Sequence, residues 1–223
     1  MSEFKKKIIS IEGNIGVGKS TFIEILKKKF PNCVVVNEPI DEWKNILDND
    51  NKNILQKFYE DIPRWAYSFQ NIACITRMIK MEDTIRTTTN EYIFLDRSLG
   101  TDANVFEKML FDNNQISKIE HTMYNLWYDF YFKYIRNFDN IYHIYLKCSP
   151  EKCFERIKKR GRVEEESISI EYLTNLNKYH DEWLLNEELK NIVILDCEDE
   201  FELDSLKQDT MIQIIGDKLN ELN

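Results

Sequence analysis

The chain has 223 residues, of which 43% are hydrophobic, 13% aromatic and 31% charged. That length and composition suit one folded α/β domain with its own core and exclude a disordered chain. Thirty basic residues against 39 acidic ones give a net charge of −9, which excludes broad electrostatic binding to nucleic acid or an anionic membrane, so any phosphate site must be local.

Residues 7–12 (KIISIE) read as a short strand, followed by a Gly-rich turn and a helical pattern with Phe22, Ile25, Leu26 and Phe30 on one side. Residues 34–37 make a second strand. Over 52–86, Trp65, Phe69, Ile72, Ala73, Thr76 and Ile79 recur at helical spacing beyond Pro63, which predicts one long or kinked helix. Residues 92–95 (YIFL) and 141–146 (IYHIYL) are the third and fourth strands, with amphipathic helical stretches over 99–136 between them. Pro150 opens a helix that runs to about Arg160, and a further helix covers 170–186. The fifth strand is 192–195, and 203–222 is a closing amphipathic helix. Strands alternating with helices predict a three-layer α/β fold on a five-stranded parallel sheet. With no repeat, low-complexity tract or Pro/Gly/Ser-rich linker, residues 1–223 read as a single domain.

The five cysteines, Cys33, Cys74, Cys148, Cys153 and Cys197, are odd in number, lack C-x-x-C spacing and sit mostly in apolar patterns, which suits a reducing compartment. The N-terminal MSEFKKKIISIEG reads as neither a signal nor a transit peptide, and no apolar run approaches a membrane span, so a cytoplasmic location is expected.

Gly13-Asn14-Ile15-Gly16-Val17-Gly18-Lys19-Ser20 matches G-x-x-x-x-G-K-[ST], and it stands between a strand and a helix, where that motif works. Glycines let successive backbone N–H groups face a polyphosphate, and the helix N-terminus adds positive potential there. Lys19 reaches the outer phosphates, and Ser20, followed by Thr21, can ligate Mg²⁺. The loop alone predicts a bound nucleoside triphosphate; switches, motors and kinases all share it.

Further motifs follow in order: Glu38-Pro39 with Trp43, Ile54-Leu55-Gln56 through Tyr59, and Arg64-Trp65 through Phe69-Gln70. Then come Asp96-Arg97-Ser98 with Asp102, Arg160-Gly161-Arg162-Val163-Glu164-Glu165, and Asp196-Cys197-Glu198-Asp199-Glu200-Phe201. In this ordered set the sequence resembles the deoxynucleoside kinase family, in particular its deoxycytidine and deoxyguanosine kinase-like members, over residues 8–201. The resemblance implies a phosphate-loop fold with a lid, and transfer of the γ-phosphoryl group of ATP or another nucleoside triphosphate to the 5′-hydroxyl of a deoxyribonucleoside, with Mg²⁺.

Physical reading of these positions agrees with that. Glu38 follows the second strand, so in a parallel sheet it stands on the rim that carries the phosphate loop, and it is the candidate general base. Asp96-Arg97 ends the third strand on the same rim. Arg97 can keep Glu38 ionised and neutralise charge on the moving phosphoryl group, and Asp96 can help to bind Mg²⁺. Most relatives of the deoxycytidine type carry Glu where Asp96 stands. Arg156, Arg160 and Arg162, with Lys158 and Lys159, concentrate charge at one helix end; by resemblance, about 156–168 is the lid over the phosphates.

Other roles are implied by the resemblance alone. Gln70 would meet the edge of the nucleobase, with Phe69, Trp43, Leu55 and Phe58 as apolar walls, and Tyr59 and Glu165 would bind the sugar 3′-hydroxyl. Asp199, Glu200 and Phe201 would touch the base of the donor. Ala73, Arg77 and Asp102 bear on base choice: members that favour deoxycytidine or purine deoxynucleosides carry Arg and Asp at the matching positions. Arg77 lies seven residues beyond Gln70, close to two helical turns, so both can face one cavity. The expected substrates are deoxycytidine, deoxyadenosine or deoxyguanosine ahead of thymidine.

Family members form homodimers through helices beside the core. The aromatic-rich stretch 124–134 can serve that surface or be buried within one subunit. Two other functions fit the loop: a nucleoside monophosphate kinase of the thymidylate type, which needs a cationic clamp for the acceptor's phosphate, and a non-catalytic nucleotide sensor, which needs neither base nor lid arginines.

Overall fold

A computed structural model describes residues 6–135, 141–162 and 165–220. Val163 and Glu164 of the expected lid, Arg136 at the end of the expected helical stretch, Leu222 of the expected last helix and the first residues of the N-terminal run lie outside the described residues.

The strands are β1 (Lys7–Glu12), β2 (Cys33–Val36), β3 (Tyr92–Asp96), β4 (Ile141–Lys147) and β5 (Ile192–Asp196), hydrogen-bonded in the order β2-β3-β1-β4-β5, every pair parallel. Central β1 pairs Ile9 with Phe94 and Tyr142. Ile9, Ile11, Phe94, Ile144 and Leu146 are sealed in one core with Phe22 and Leu26, as expected for parallel strands covered on both faces. Parallel pairing puts the carboxyl ends of β1, β2 and β3 on one rim, where Gly13, Glu38 and Arg97 follow them.

Helix α1 (Lys19–Lys29) starts beyond Gly18, and α2 (Ile40–Lys44) is a short turn of helix after Pro39 that the sequence reading did not anticipate. The long helix expected over 52–86 is two helices, α3 (Ile54–Glu60) and α4 (Ile62–Thr87). Asp61 separates them. It closes α3 at φ −147° and ψ 78°, then accepts the Arg64 N–H as the cap of α4, with Pro63 in the first turn. Proline lacks the N–H that a continuous helix would need and its ring clashes with the preceding turn, so the chain breaks at Asp61 rather than kinking.

Between β3 and β4 the helical stretch is interrupted. Helix α5 (Leu99–Thr101) runs through a π-helical segment (Asp102–Glu107) into α6 (Lys108–Asp112); α7 (Lys118–Phe130) follows and ends in a second π-helical segment (Tyr131–Ile135). α8 (Pro150–Arg160) ends at Gly161, left-handed at φ 64°, as a helix C-cap favours. α9 is Ile170–Leu184 and α10 is Ser205–Asn220. No described helix is long and apolar enough to cross a membrane, and all five cysteines are unpaired thiols.

Candidate active site

A cavity of about 730 Å³ opens on the rim of the sheet, within the range of small-molecule and cofactor sites. Its floor is the phosphate loop. Gly13 and Gly16 have φ of 142° and 84°, and a Cβ on them would meet the carbonyl oxygens of Leu146 and Cys153 at 2.6 and 2.4 Å, so the loop curls as tightly as it does only without side chains there. Asn14 fixes the curl: its Oδ1 accepts the Ile15 N–H at 2.8 Å and its Nδ2 donates to the Leu173 carbonyl at 2.9 Å. Ile15 to Thr21 line the cavity, while Gly13 and Asn14 lie beneath.

Lys19 folds back over the loop and donates to the carbonyls of Gly13 at 3.1 Å and Asn14 at 2.9 Å. Burial, with Arg97 close by, pulls its ammonium down to about 7, although the carboxylates of Asp96 and Glu38 oppose the shift. A triphosphate would supply the counter-charge that this lysine lacks.

Glu38 sits at the centre of the cationic groups. Arg77 Nη2 donates to its Oε1 at 3.0 Å, and Arg97 Nη1 lies 3.3 and 3.4 Å from its two oxygens. Burial would raise this carboxyl, but Arg97, Arg77 and Lys19 outweigh it and hold it at about 2. Arg97 is itself unusual: at φ 66° it is a non-glycine residue in left-handed backbone, a conformation that persists only where its surroundings impose it. Its N–H donates to the Ile11 carbonyl at 3.1 Å and its Nη2 to the Gly13 carbonyl at 3.2 Å. Asp96 is pushed up, first by burial and then by the charge of Glu38.

Three buried polar atoms of the cavity wall have no hydrogen-bond partner among the described residues: Asp96 Oδ1, Arg97 Nε and the Tyr172 hydroxyl. Buried polar groups in folded proteins are normally paired. Three orphans in one cavity are the mark of a site completed by a ligand.

The apolar half of the cavity comes from α2, α3 and α4. Buried Ala66, Phe69, Gln70, Ala73 and Arg77 fall on one stripe of α4, and Gln70, Ala73 and Arg77 all face the cavity with Leu55 and Tyr59. Phe58 stacks on Phe69 at 4.7 Å, and Trp43 meets Phe69 edge-on at 5.2 Å while its Nε1 donates to Thr76. Asp102 and Phe106, one turn apart in the π-helical segment, close the far wall. Asp102 accepts from Arg77 Nε at 2.8 Å, and Phe106 lies beneath the Arg97 guanidinium at 5.2 Å. This slot is aromatic-walled and edged by a carboxamide, an arginine and a carboxylate, so it can hold a planar base with several hydrogen-bonding groups.

Arg160 and Arg162, from the end of α8 and beyond, line the opening and pair with Glu165. Arg156 also lines it, but is anchored: Nη1 donates to the carbonyls of Val17 at 3.2 Å and Cys197 at 2.9 Å, and Nε to Glu200 at 3.2 Å. It therefore ties the phosphate loop to the segment that follows β5. Glu200 and Phe201 reach the cavity, and Phe201 is buried edge-on against Phe22. Asp199 stands apart; its carboxylate points to solvent, 3.7 Å from Lys207, and does not line the cavity. Ser20 and Asp96 both line it.

Sequence reasoning did not pick out Phe106, Tyr172, Ile40, Asp41, Lys44 or Glu202, which also line the cavity. Lys159, named there only as part of the cationic run, lines it too. Phe106 and Tyr172 carry no local signal, since aromatic residues recur throughout the chain.

A phosphate loop on a parallel sheet of this order, opening into a cavity that joins cationic and aromatic halves, defines a nucleotide-using protein of the phosphate-loop class. The chain belongs to the deoxynucleoside kinase family, whose family model matches residues 9–220. It is 36% identical to deoxycytidine kinase 2 of Gallus gallus, over 96% of this chain and 91% of that protein. It is 34% identical to the mitochondrial deoxyguanosine kinase of Xenopus laevis, over 94% and 88% of the two. With a probable deoxycytidine kinase of fowlpox virus the identity is 37%, over 97% and 89%.

Proposed function

We propose that the protein phosphorylates deoxyribonucleosides, moving the γ-phosphoryl group of ATP or another nucleoside triphosphate to the 5′-hydroxyl, and that it prefers deoxycytidine or purine deoxynucleosides to thymidine. One observation carries this reading: the carboxylate of Glu38, held ionised by two arginines, lines the cavity together with the phosphate loop and the aromatic slot.

A nucleoside in the slot, its base against Gln70, Arg77 and Asp102 and walled by Trp43, Leu55, Phe58, Phe69 and Ala73, would direct its primary alcohol towards Glu38. The sugar 3′-hydroxyl falls to Tyr59 and Glu165. Glu38 accepts the hydroxyl proton as the oxygen bonds to phosphorus, and the backbone from Gly13 to Thr21 with Lys19 holds the leaving diphosphate. Phosphoryl transfer depends on position and charge neutralisation, so Arg97 and the lid residues Arg160 and Arg162 take up charge on the transferred group, with Arg156 bracing the loop. Glu200 and Phe201 border the donor's base, and Asp199 belongs to the same connection.

Magnesium fits the residues present. Among the described residues Asp96 Oδ1 is buried with no partner, Ser20 faces the same cavity, and no cluster of three or more protein ligands exists. Ser20 and Asp96 would share the ion with phosphate oxygens, as Mg²⁺ prefers. When bound it would neutralise phosphate charge.

In this reading residues 1–223 form one catalytic domain, with a lid over about 156–168, acting as a homodimer in a reducing compartment such as the cytoplasm. Helix α7, which packs on α4, leaves Ile119, Met123, Leu126, Trp127 and Phe130 exposed; this supports the dimer, because exposed apolar patches of this kind are normally covered by a partner.

The test is initial rates with the four deoxynucleosides, and with deoxycytidine monophosphate, using ATP and Mg²⁺. Phosphorylation of deoxycytidine or a purine deoxynucleoside well ahead of both thymidine and the monophosphate is expected. Turnover of the monophosphate alone would turn the reading to the rival kinase class, and nucleotide binding without transfer would turn it to a sensor.

A further inference from the structure

The last residue of β1, Glu12, is fully buried and touches neither the cavity nor any group assigned above to a ligand. A buried carboxylate is costly unless paired, and this one has three partners. Its Oε1 accepts the backbone N–H of Ser98 at 3.0 Å, its Oε2 accepts the Thr101 hydroxyl, and His143 Nδ1 lies 3.7 Å from Oε1. His143 is held in turn by Ser10 Oγ at 2.7 Å. Burial pushes the Glu12 carboxyl up, but the His143, Ser98 and Thr101 contacts prevail and keep it at about 2.

Two of those contacts, to Ser98 and Thr101, fall on the turn and helix start that follow Arg97. Ser98 is the N-cap of α5, yet its own side chain makes no capping bond and its hydroxyl is buried without a partner among the described residues. Glu12, from the neighbouring strand, supplies the capping acceptor instead, placing negative charge where a helix start favours it. Ile11 and Gly13, the chain neighbours of Glu12, accept from the Arg97 N–H and guanidinium. Three consecutive residues of β1 and the phosphate loop therefore grip both sides of a residue in left-handed backbone.

We propose that Glu12 is a positioning residue for phosphoryl transfer: its carboxylate clamps the Arg97-Ser98 turn to the start of the phosphate loop and so sets the angle at which the Arg97 guanidinium meets Glu38 and the transferred group. This rests on the kinase reading given above. Glu12 touches no substrate and acts through Arg97.

The experiment compares parent, Glu12→Gln, Arg97→Lys and the double variant for kcat, nucleoside KM and Tm, with rates read well below the lowest Tm. Glu12→Gln keeps the volume and removes the charge and one acceptor. Misplacing a charge-neutralising group by about 1 Å costs on the order of a hundredfold, so kcat should fall by about that factor while nucleoside KM stays within about twofold. Because both changes act through one guanidinium, their effects on kcat should be far from additive. A folded Glu12→Gln with parent-like kcat, or effects that simply multiply, overturns the proposal. If Glu12→Gln does not fold, Thr101→Val, which removes one donor and leaves the charge, enters the same cycle. It should give a smaller fall in kcat, again non-additive with Arg97→Lys, and independence there overturns the proposal equally. Should the parent transfer no phosphoryl group to any deoxynucleoside, the kinase reading itself fails and this proposal with it. An active parent beside an unaffected Glu12→Gln sinks only the clamp.

Discussion

Arg77 joins Glu38 to Asp102: its Nη2 donates to Glu38 Oε1 at 3.0 Å while its Nε donates to Asp102 Oδ2 at 2.8 Å. A third bond runs from its Nη1 to the Asp96 carbonyl at 2.8 Å. The side chain that faces the base slot is thus bonded to the carboxylate beside the phosphate loop, and changes of base preference cannot be isolated from the reacting end.

Replacing Arg77 with Met and Asp102 with Ala together removes the polar pair where a thymine methyl would pack. The ratio of kcat/KM for thymidine over deoxycytidine should rise by about tenfold or more, and no rise would remove these residues from base selection. Stability should follow the same pair. Arg77→Met alone strands a buried carboxylate and should cost about 3–5 kcal/mol, while the double variant should cost less; urea denaturation reads both.

Lys19 gives the pH dependence. Burial, with Arg97 close by, holds its ammonium at about 7, and a donor's phosphates favour the charged form. Below that pH the lysine is already protonated and donor affinity is flat; above it, binding must take up a proton and the apparent affinity falls by about tenfold per pH unit. Calorimetry of magnesium-ATP binding in buffers of different ionisation enthalpy should find close to one proton taken up per site at about pH 8 and almost none at about pH 6. Equal uptake at both would contradict the buried, uncompensated lysine.

The proposed dimer face is open to a direct check. Leu126 and Trp127 are 66% and 60% exposed on α7. Charging both, as Leu126→Glu with Trp127→Glu, should halve the sedimenting mass with little change in Tm. A parent that is already monomeric, or a variant that still dimerises, would assign this face to something else.

Much of this site is legible in the chain because its chemistry is local. The phosphate loop is eight consecutive residues whose glycines and lysine serve a single purpose. Glu38 and Asp96-Arg97 could be put on one rim because parallel strands share their carboxyl ends. The strands were legible within a residue or so; β2, expected over 34–37, is Cys33–Val36. The break at Asp61 was hidden because the apolar spacing runs on either side of it, and only the Asp61 cap and the missing Pro63 N–H decide for two helices. Arg156 carried the same cationic signal as Arg160 and Arg162, and it also lines the cavity, but its bonds to the Val17 and Cys197 carbonyls are contacts that no periodicity announces. Glu12 looked like the end of a strand. Its partners, Ser98, Thr101 and His143, come from segments 86, 89 and more than a hundred residues away, and a sequence pattern cannot bring them together.

The central claim is that Glu38 takes the proton from the sugar's primary hydroxyl, and Glu38→Gln tests it most directly. Single-turnover rates with saturating deoxycytidine and magnesium-ATP should fall by roughly two to four powers of ten, the usual weight of general-base catalysis, while the nucleoside dissociation constant moves by no more than a few-fold. Turnover within about threefold of the parent, in a variant that binds nucleoside normally, would contradict it.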